Sequence, residues 1–150
     1  MAHHNLFEDV FEILEVDKDG KKFDRVSRLY CRGENYEMEL HLDVNSDLFT
    51  QPPGSKFSLV LTRSLNLDGS IDDHDYYTYA LNDKPTLADK YEYVMFGRVF
   101  KFNTPEGQQS HQQLEVYASF GGLLMNLKGE PRNLQSLELD QRVYLLLRSV

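Results

Sequence analysis

Apolar and polar residues alternate with a period of two along much of this chain, the pattern of half-buried β-strands. The alternation is cleanest over residues 36–44, where Tyr36, Met38, Leu40, Leu42 and Val44 face one way and Glu37, Glu39, His41 and Asp43 the other. One side is core and the other is wet and acidic. Residues 56–63 turn Phe57, Leu59 and Leu61 inward, and residues 113–120 do the same with Leu114, Val116 and Ala118. Residues 6–16 mix helical and strand spacing and read as a first strand with an irregular start. Asp17-Lys18-Asp19-Gly20 then reads as a turn, with Asp and Gly supplying local hydrogen bonds and positive φ, and leads into a strand over 23–31.

The later strands depart from this rule. In 91–102, Tyr93, Met95 and Val99 lie on one face and Val94, Phe96, Phe100 and Phe102 on the other, with Gly97 permitting a bend. In 123–127, Leu123, Met125 and Leu127 oppose Leu124; in 142–148, Val143, Leu145 and Leu147 oppose Tyr144 and Leu146. Strands that are apolar on both faces are expected to be covered twice. The surplus points to a larger assembly that shelters it. Gly121-Gly122 separates two apolar runs and reads first as a sharp bend or barrel corner, and second as a docking point for a partner.

Residues 45–55, with Pro52-Pro53-Gly54, are a loop, and so are 103–110 and the Gly129-Glu130-Pro131 break, with a short turn at 133–136 before the last strand. From 64 to 90 the strand pattern lapses for far longer than an ordinary connection. Asp68, Asp72, Asp73, Asp75, Asp83 and Asp89 there outnumber Lys84 and Lys90, as in a solvated, mobile loop, although Tyr76, Tyr77 and Tyr79 could fasten it to the domain or to a partner.

Length and composition place all this in one domain, 1–150, of an all-β protein. Nine tyrosines and nine phenylalanines favour strands, and 150 residues bury enough core to stand without staples. The single cysteine, Cys31, cannot bridge within the chain, so an intracellular reducing compartment is expected. A net charge of -8 disfavours a free-standing nucleic-acid binder.

Catalytic and metal signatures fail one by one. Ser119 has Gly121 after it but Tyr117 before it, so no hydrolase elbow forms. Cys31 lies in an alternating strand with no assignable base, and no phosphate-cradling glycine motif occurs. A calcium loop from Asp17 would carry Lys22 where glycine belongs and Arg28 where glutamate belongs; one from Asp68 ends on Tyr79. His3-His4, His41, His74 and His111 are too scattered for zinc with one cysteine. No cofactor and no metal is expected. An oligonucleotide-binding barrel would use bases such as Lys21, Lys22, Arg25, Arg28 and Arg32 on the second strand, but Glu37, Glu39 and Asp43 on the third would repel phosphates.

Five stretches in order resemble one family: Phe7-Glu8-Asp9-Val10-Phe11; Asp19-Gly20-Lys21-Lys22-Phe23-Asp24-Arg25-Val26-Ser27-Arg28; Tyr91-Glu92-Tyr93-Val94-Met95-Phe96-Gly97-Arg98-Val99; Gly121-Gly122-Leu123-Leu124-Met125-Asn126-Leu127; and Val143-Tyr144-Leu145-Leu146-Leu147. They resemble the eighth subunit shared by eukaryotic nuclear DNA-directed RNA polymerases I, II and III. The resemblance implies an eight-stranded antiparallel Greek-key barrel, oligonucleotide-binding-fold-like, with a long mobile loop at 64–90. It also implies a non-catalytic role in transcription: docking on the largest subunit near neighbouring small subunits, in the nucleus including the nucleolus, with no membrane and no direct DNA or RNA contact. The expected docking residues are Tyr93, Phe120, Gly121, Gly122, Leu123, Leu124 and Tyr144. The alternative is a stand-alone barrel that binds an extended peptide or single-stranded nucleic acid.

Overall fold

The stretches of alternation form eight strands in the computed structural model, which describes residues 5–21, 23–67, 86–104 and 113–150. They are β1 (Asn5–Val16), β2 (Val26–Gly33), β3 (Glu39–Asn45), β4 (Lys56–Thr62), β5 (Tyr93–Asn103), β6 (Leu114–Phe120), β7 (Leu123–Gly129) and β8 (Arg142–Ser149). They close into an antiparallel barrel in the order β1-β2-β3-β7-β6-β5-β8-β4. Because β4 returns beside β1 after the β1-β2-β3 meander, the connection is a Greek key. The expectations for His3-His4, for Asp68 to Asp83 with their tyrosines and His74, and for His111 fall outside the described residues.

Two long strands turn the corners of the barrel. β1 pairs with β4 over 5–12 and with β2 over 11–16; β5 pairs with β8 over 93–98 and with β6 over 98–103. The corners divide the wall into a β1-β4-β8-β5 layer and a β1-β2-β3-β7-β6-β5 layer. At the β5 corner, a Cβ on Gly97 would collide with the Ser119 carbonyl and come within 2.7 Å of the Phe120 ring, so the strand can bend there only as glycine.

Just past that corner a bulge between Val99 and Lys101 resets the alternation. Phe102, expected on the outer face with Phe96 and Phe100, instead packs against the core, while Phe100 stays exposed. Strand starts also shift. β3 begins at Glu39, and Tyr36 lies in the preceding turn, where the Asp9 carboxylate accepts N–H groups from Asn35 and Tyr36. β2 begins at Val26, leaving Phe23 outside it and 70% exposed.

The core holds Phe11, Phe57, Leu40, Leu42, Leu59, Met125, Leu127 and Leu145, with Phe11 and Phe57 stacked at 6.1 Å. Cys31 is buried among them, and desolvation pushes its thiol up to about 12, which keeps it in the protonated form of a packing residue. A second apolar cluster lies outside the barrel. Val60, Tyr144 and Leu146 on the outer side of β4 and β8 are covered by Leu65 and Leu87, with Val94, Phe96 and Tyr91 at the margin. The two covering segments are tied together where the Leu87 N–H donates to the Leu65 carbonyl. Thr86 and Asp89 form a capping box on the short helix Leu87–Lys90. The expectation that a larger assembly must shelter the second face of the last strand is therefore corrected: for Tyr144 and Leu146 the shelter is the chain's own strap.

Candidate partner-docking face

Where one layer is strapped over by 65–67 and 86–91, no described segment is laid across the outer face of the other. Register places Lys101, Tyr117, Asn126, His41 and Tyr30 in one row across β5, β6, β7, β3 and β2. Tyr30 and His41 stack at 4.8 Å, and Lys101 lies over the Tyr117 ring. A parallel row runs from Ser119 through Leu124 and Asp43 to Arg28.

The charges on this face are paired across strands. Arg28 donates to both carboxylate oxygens of Asp43 at 2.7 and 3.0 Å, a two-point fork that raises the guanidinium above its ordinary value. Glu39 accepts from the Tyr30 hydroxyl, which raises that phenol, and lies 3.9 Å from Lys128. Glu115 accepts from Asn126, Asn103 and Tyr117, and these bonds hold its carboxyl below the usual range. Desolvation lowers His41. The wet acidic face expected of β3 is thus largely neutralised, and Asp43 is only 6% exposed.

Two hollows flank the Arg28–Asp43 pair. One, of about 130 Å³, lies between the Asp17–Gly20 turn, Phe23 and the Tyr30–His41 stack; the other, of about 220 Å³, lies between Arg28, His41, Tyr117 and Leu124. Asp17 in the first accepts the Arg28 backbone N–H, so it closes the turn. Among the described residues no three His, Cys, Asp or Glu side chains converge as metal ligands.

The seven residues singled out from sequence separate into two groups. Tyr93 and Phe120 lie in the main core, with the Tyr93 hydroxyl accepting the Asn45 N–H at 2.9 Å. Tyr144, 8% exposed, lies under the strap. Those three side chains are already packed within the chain. Gly121, Gly122, Leu123 and Leu124 form the outer tip of the β6–β7 hairpin. Gly121 and Gly122 have φ of 64° and 101°, the paired positive values of a type I′ turn, so this is a two-residue hairpin and not a barrel corner. A Cβ on either would meet nothing within 4 Å. Leu124, 40% exposed, is the apolar side chain the tip presents, with Leu123 half-buried behind it.

Sequence reasoning missed the Arg28–Asp43–Leu124 junction. Arg28 and Asp43 are fifteen residues apart, and only the β2–β3 register makes them neighbours.

The RNA polymerase Rpb8 family model matches residues 8–149. "DNA-directed RNA polymerases I, II, and III subunit rpabc3" of Dictyostelium discoideum is 51% identical over 144 residues, 95% of this chain and 96% of that one. "DNA-directed RNA polymerases II, IV and V subunit 8B" of Arabidopsis thaliana is 46% identical, covering 97% and 96%. "DNA-directed RNA polymerases I, II, and III subunit RPABC3" of Saccharomyces cerevisiae is 33% identical, covering 97% and 98%. With the barrel and the match both running nearly end to end, this chain belongs to the RNA polymerase Rpb8 family.

Proposed function

We propose that this chain is the common subunit of nuclear DNA-directed RNA polymerases I, II and III, a non-catalytic subunit that supports assembly by docking on the largest subunit. The observation that carries this reading is the family match over residues 8–149, joined by relatives named as subunits of DNA-directed RNA polymerases I, II and III over at least 95% of this chain. Its place of work is the nucleus, including the nucleolus.

The docking element is the tip of the β6–β7 hairpin. Gly121 and Gly122 let a neighbouring backbone come close, and Leu124 offers an apolar contact. Tyr93 and Phe120 act from the core behind it as packed supports, whereas Tyr144 is packed under the strap on the other face. Direct contact with DNA or RNA is not part of the role. Support for that comes from the net charge of -8 and from Arg28 and Lys128, which are engaged by Asp43 and Glu39.

Affinity purification of the tagged full-length chain from nuclei tests the reading: the largest subunits of the three polymerases are expected with it, in stoichiometric amount. A chain that purifies intact without them overturns the proposal. Titration with oligo-dT separates the alternative, because tight and steeply salt-dependent binding would favour a single-strand-binding barrel.

A further inference from the structure

Backbone pairing between β3 and β7 stops short of the hairpin tip. The register runs from Glu39↔Lys128 to Leu42↔Met125 and ends there, although β3 continues to Asn45 and β7 begins at Leu123. Beyond the last pair, side chains take two of the main-chain donors. The Leu124 N–H donates to Asp43 Oδ2 at 3.1 Å, and the Asn45 N–H donates to the Tyr93 hydroxyl at 2.9 Å. Asp43 is held in turn by the Arg28 fork, so one nearly buried carboxylate joins β2, β3 and the first residues of β7. On its other side Leu124 pairs with Ser119 of β6. A two-stranded hairpin end is marginal unless a third strand or a side chain fixes it.

We infer that Asp43 is the positioning residue of the docking hairpin: by accepting the Leu124 N–H it sets the direction in which Gly121 to Leu124 leave the barrel, while the Arg28 ion pair adds stability without setting that direction. The inference rests on the docking reading above for its functional consequence, and on the junction alone for its structural one. It explains why an aspartate sits at 6% exposure on a face otherwise built of half-exposed polar side chains.

Three substitutions in the full-length chain separate positioning from general stability. Asp43→Ala removes the acceptor and the charge. Asp43→Asn keeps an oxygen for the Leu124 N–H. Arg28→Met leaves the carboxylate but removes its ion pair. Each tagged chain is purified with its polymerase and, separately, alone for thermal unfolding and for amide exchange at Leu124. Asp43→Ala is expected to lower recovery of the largest subunit at least tenfold and to deprotect the Leu124 amide. Asp43→Asn and Arg28→Met are expected to stay within twofold in recovery even where their Tm falls as far. Recovery that tracks Tm across the set, or wild-type recovery with a folded Asp43→Ala chain, overturns the inference. If Asp43→Ala does not fold, the other two still decide, since a tenfold loss in either from a folded chain contradicts it. If the wild-type chain itself recovers no largest subunit, the docking reading fails, while the Leu124 amide still reports on the junction.

Discussion

The two outer faces of the barrel are built on opposite principles. Over β4 and β8, Val60 and Leu146 are fully buried outside the barrel because Leu65 and Leu87 are laid across them. Over β2, β3, β7 and β6 the side chains are Tyr30, His41, Asp43, Asn126 and Tyr117, half-buried or polar, with Tyr30 bonded to Glu39, Tyr117 and Asn126 to Glu115, and Asp43 to Arg28. The contrast teaches that an apolar strand face is not by itself a vacancy for a partner. Here the greasiest outer face is closed by a local segment of the same chain, and the open face exposes separate apolar side chains, Leu124 at the hairpin tip, Phe100 beside Tyr117 and Phe23 at the edge of a hollow. Burial of the Val60, Tyr144 and Leu146 patch favours the strapped arrangement by roughly 25 cal/mol per Å² of apolar surface removed from water.

The comparison can be broken most directly at its apolar side. Leu146→Ala is expected to cost about 3 kcal/mol in chemical unfolding of the isolated chain, the ordinary penalty for a buried leucine that leaves a cavity. Leu124→Ala on the open face is expected to cost less than about 0.5 kcal/mol. Equal costs would show that the two faces do not differ as described. At the foot of the strap, Thr86→Ala removes the side-chain acceptor for Ala88 and is expected to cost about 1 kcal/mol in the same assay. A null result there would mean that the capping box contributes nothing to the strap.

The smallest effect is a pH effect on the open face. Desolvation holds folded His41 below its ordinary 6.5, with Lys18 and Arg28 acting in the same direction and Glu39 and Asp19 opposing. The unfolded chain therefore takes up a proton that folded His41 resists. Its contribution is complete above the unfolded pKa and is lost as pH falls from about 6.5 through the folded value. Solvent at this half-exposed site keeps the effect small. Melting of the wild type should drop more between pH 7 and 5 than that of His41→Gln, and parallel curves would refute it. Glu115, held low by its hydrogen bonds, adds a loss in the same direction only below 4.5, so the two windows separate.

Much of this was readable in the residues. All eight strands were legible, most by period-two alternation, the first through mixed spacing and the second from the turn before it, and Phe57, Leu59, Leu61, Val116, Ala118, Met125 and Leu127 lie in the core as their parity requires. Local pattern failed wherever a distant segment decided the outcome. Phe102 changed face because of a bulge, which inserts one residue and has no signature in composition. Tyr144 and Leu146 read as surplus because nothing in 142–148 announces that Leu65 and Leu87 will cover them. Asp43 read as a wet carboxylate because alternation gives the face a side chain points to and says nothing of Arg28 across the sheet. Gly121-Gly122 was legible as a special backbone position, but whether it bends a strand or turns a hairpin depends on the pairing of Phe120 with Leu123.

Amide hydrogen–deuterium exchange of the full-length chain, alone and in assembled polymerase, bears on both faces at once. Residues 86–91 and β8 are expected to be protected already in the isolated chain and unchanged by assembly, while residues 121–124 gain protection only in the enzyme. Rapid exchange at Leu87 in the isolated chain, with protection arriving there on assembly and none at Leu124, would contradict the division of the barrel into a self-covered face and a docking face.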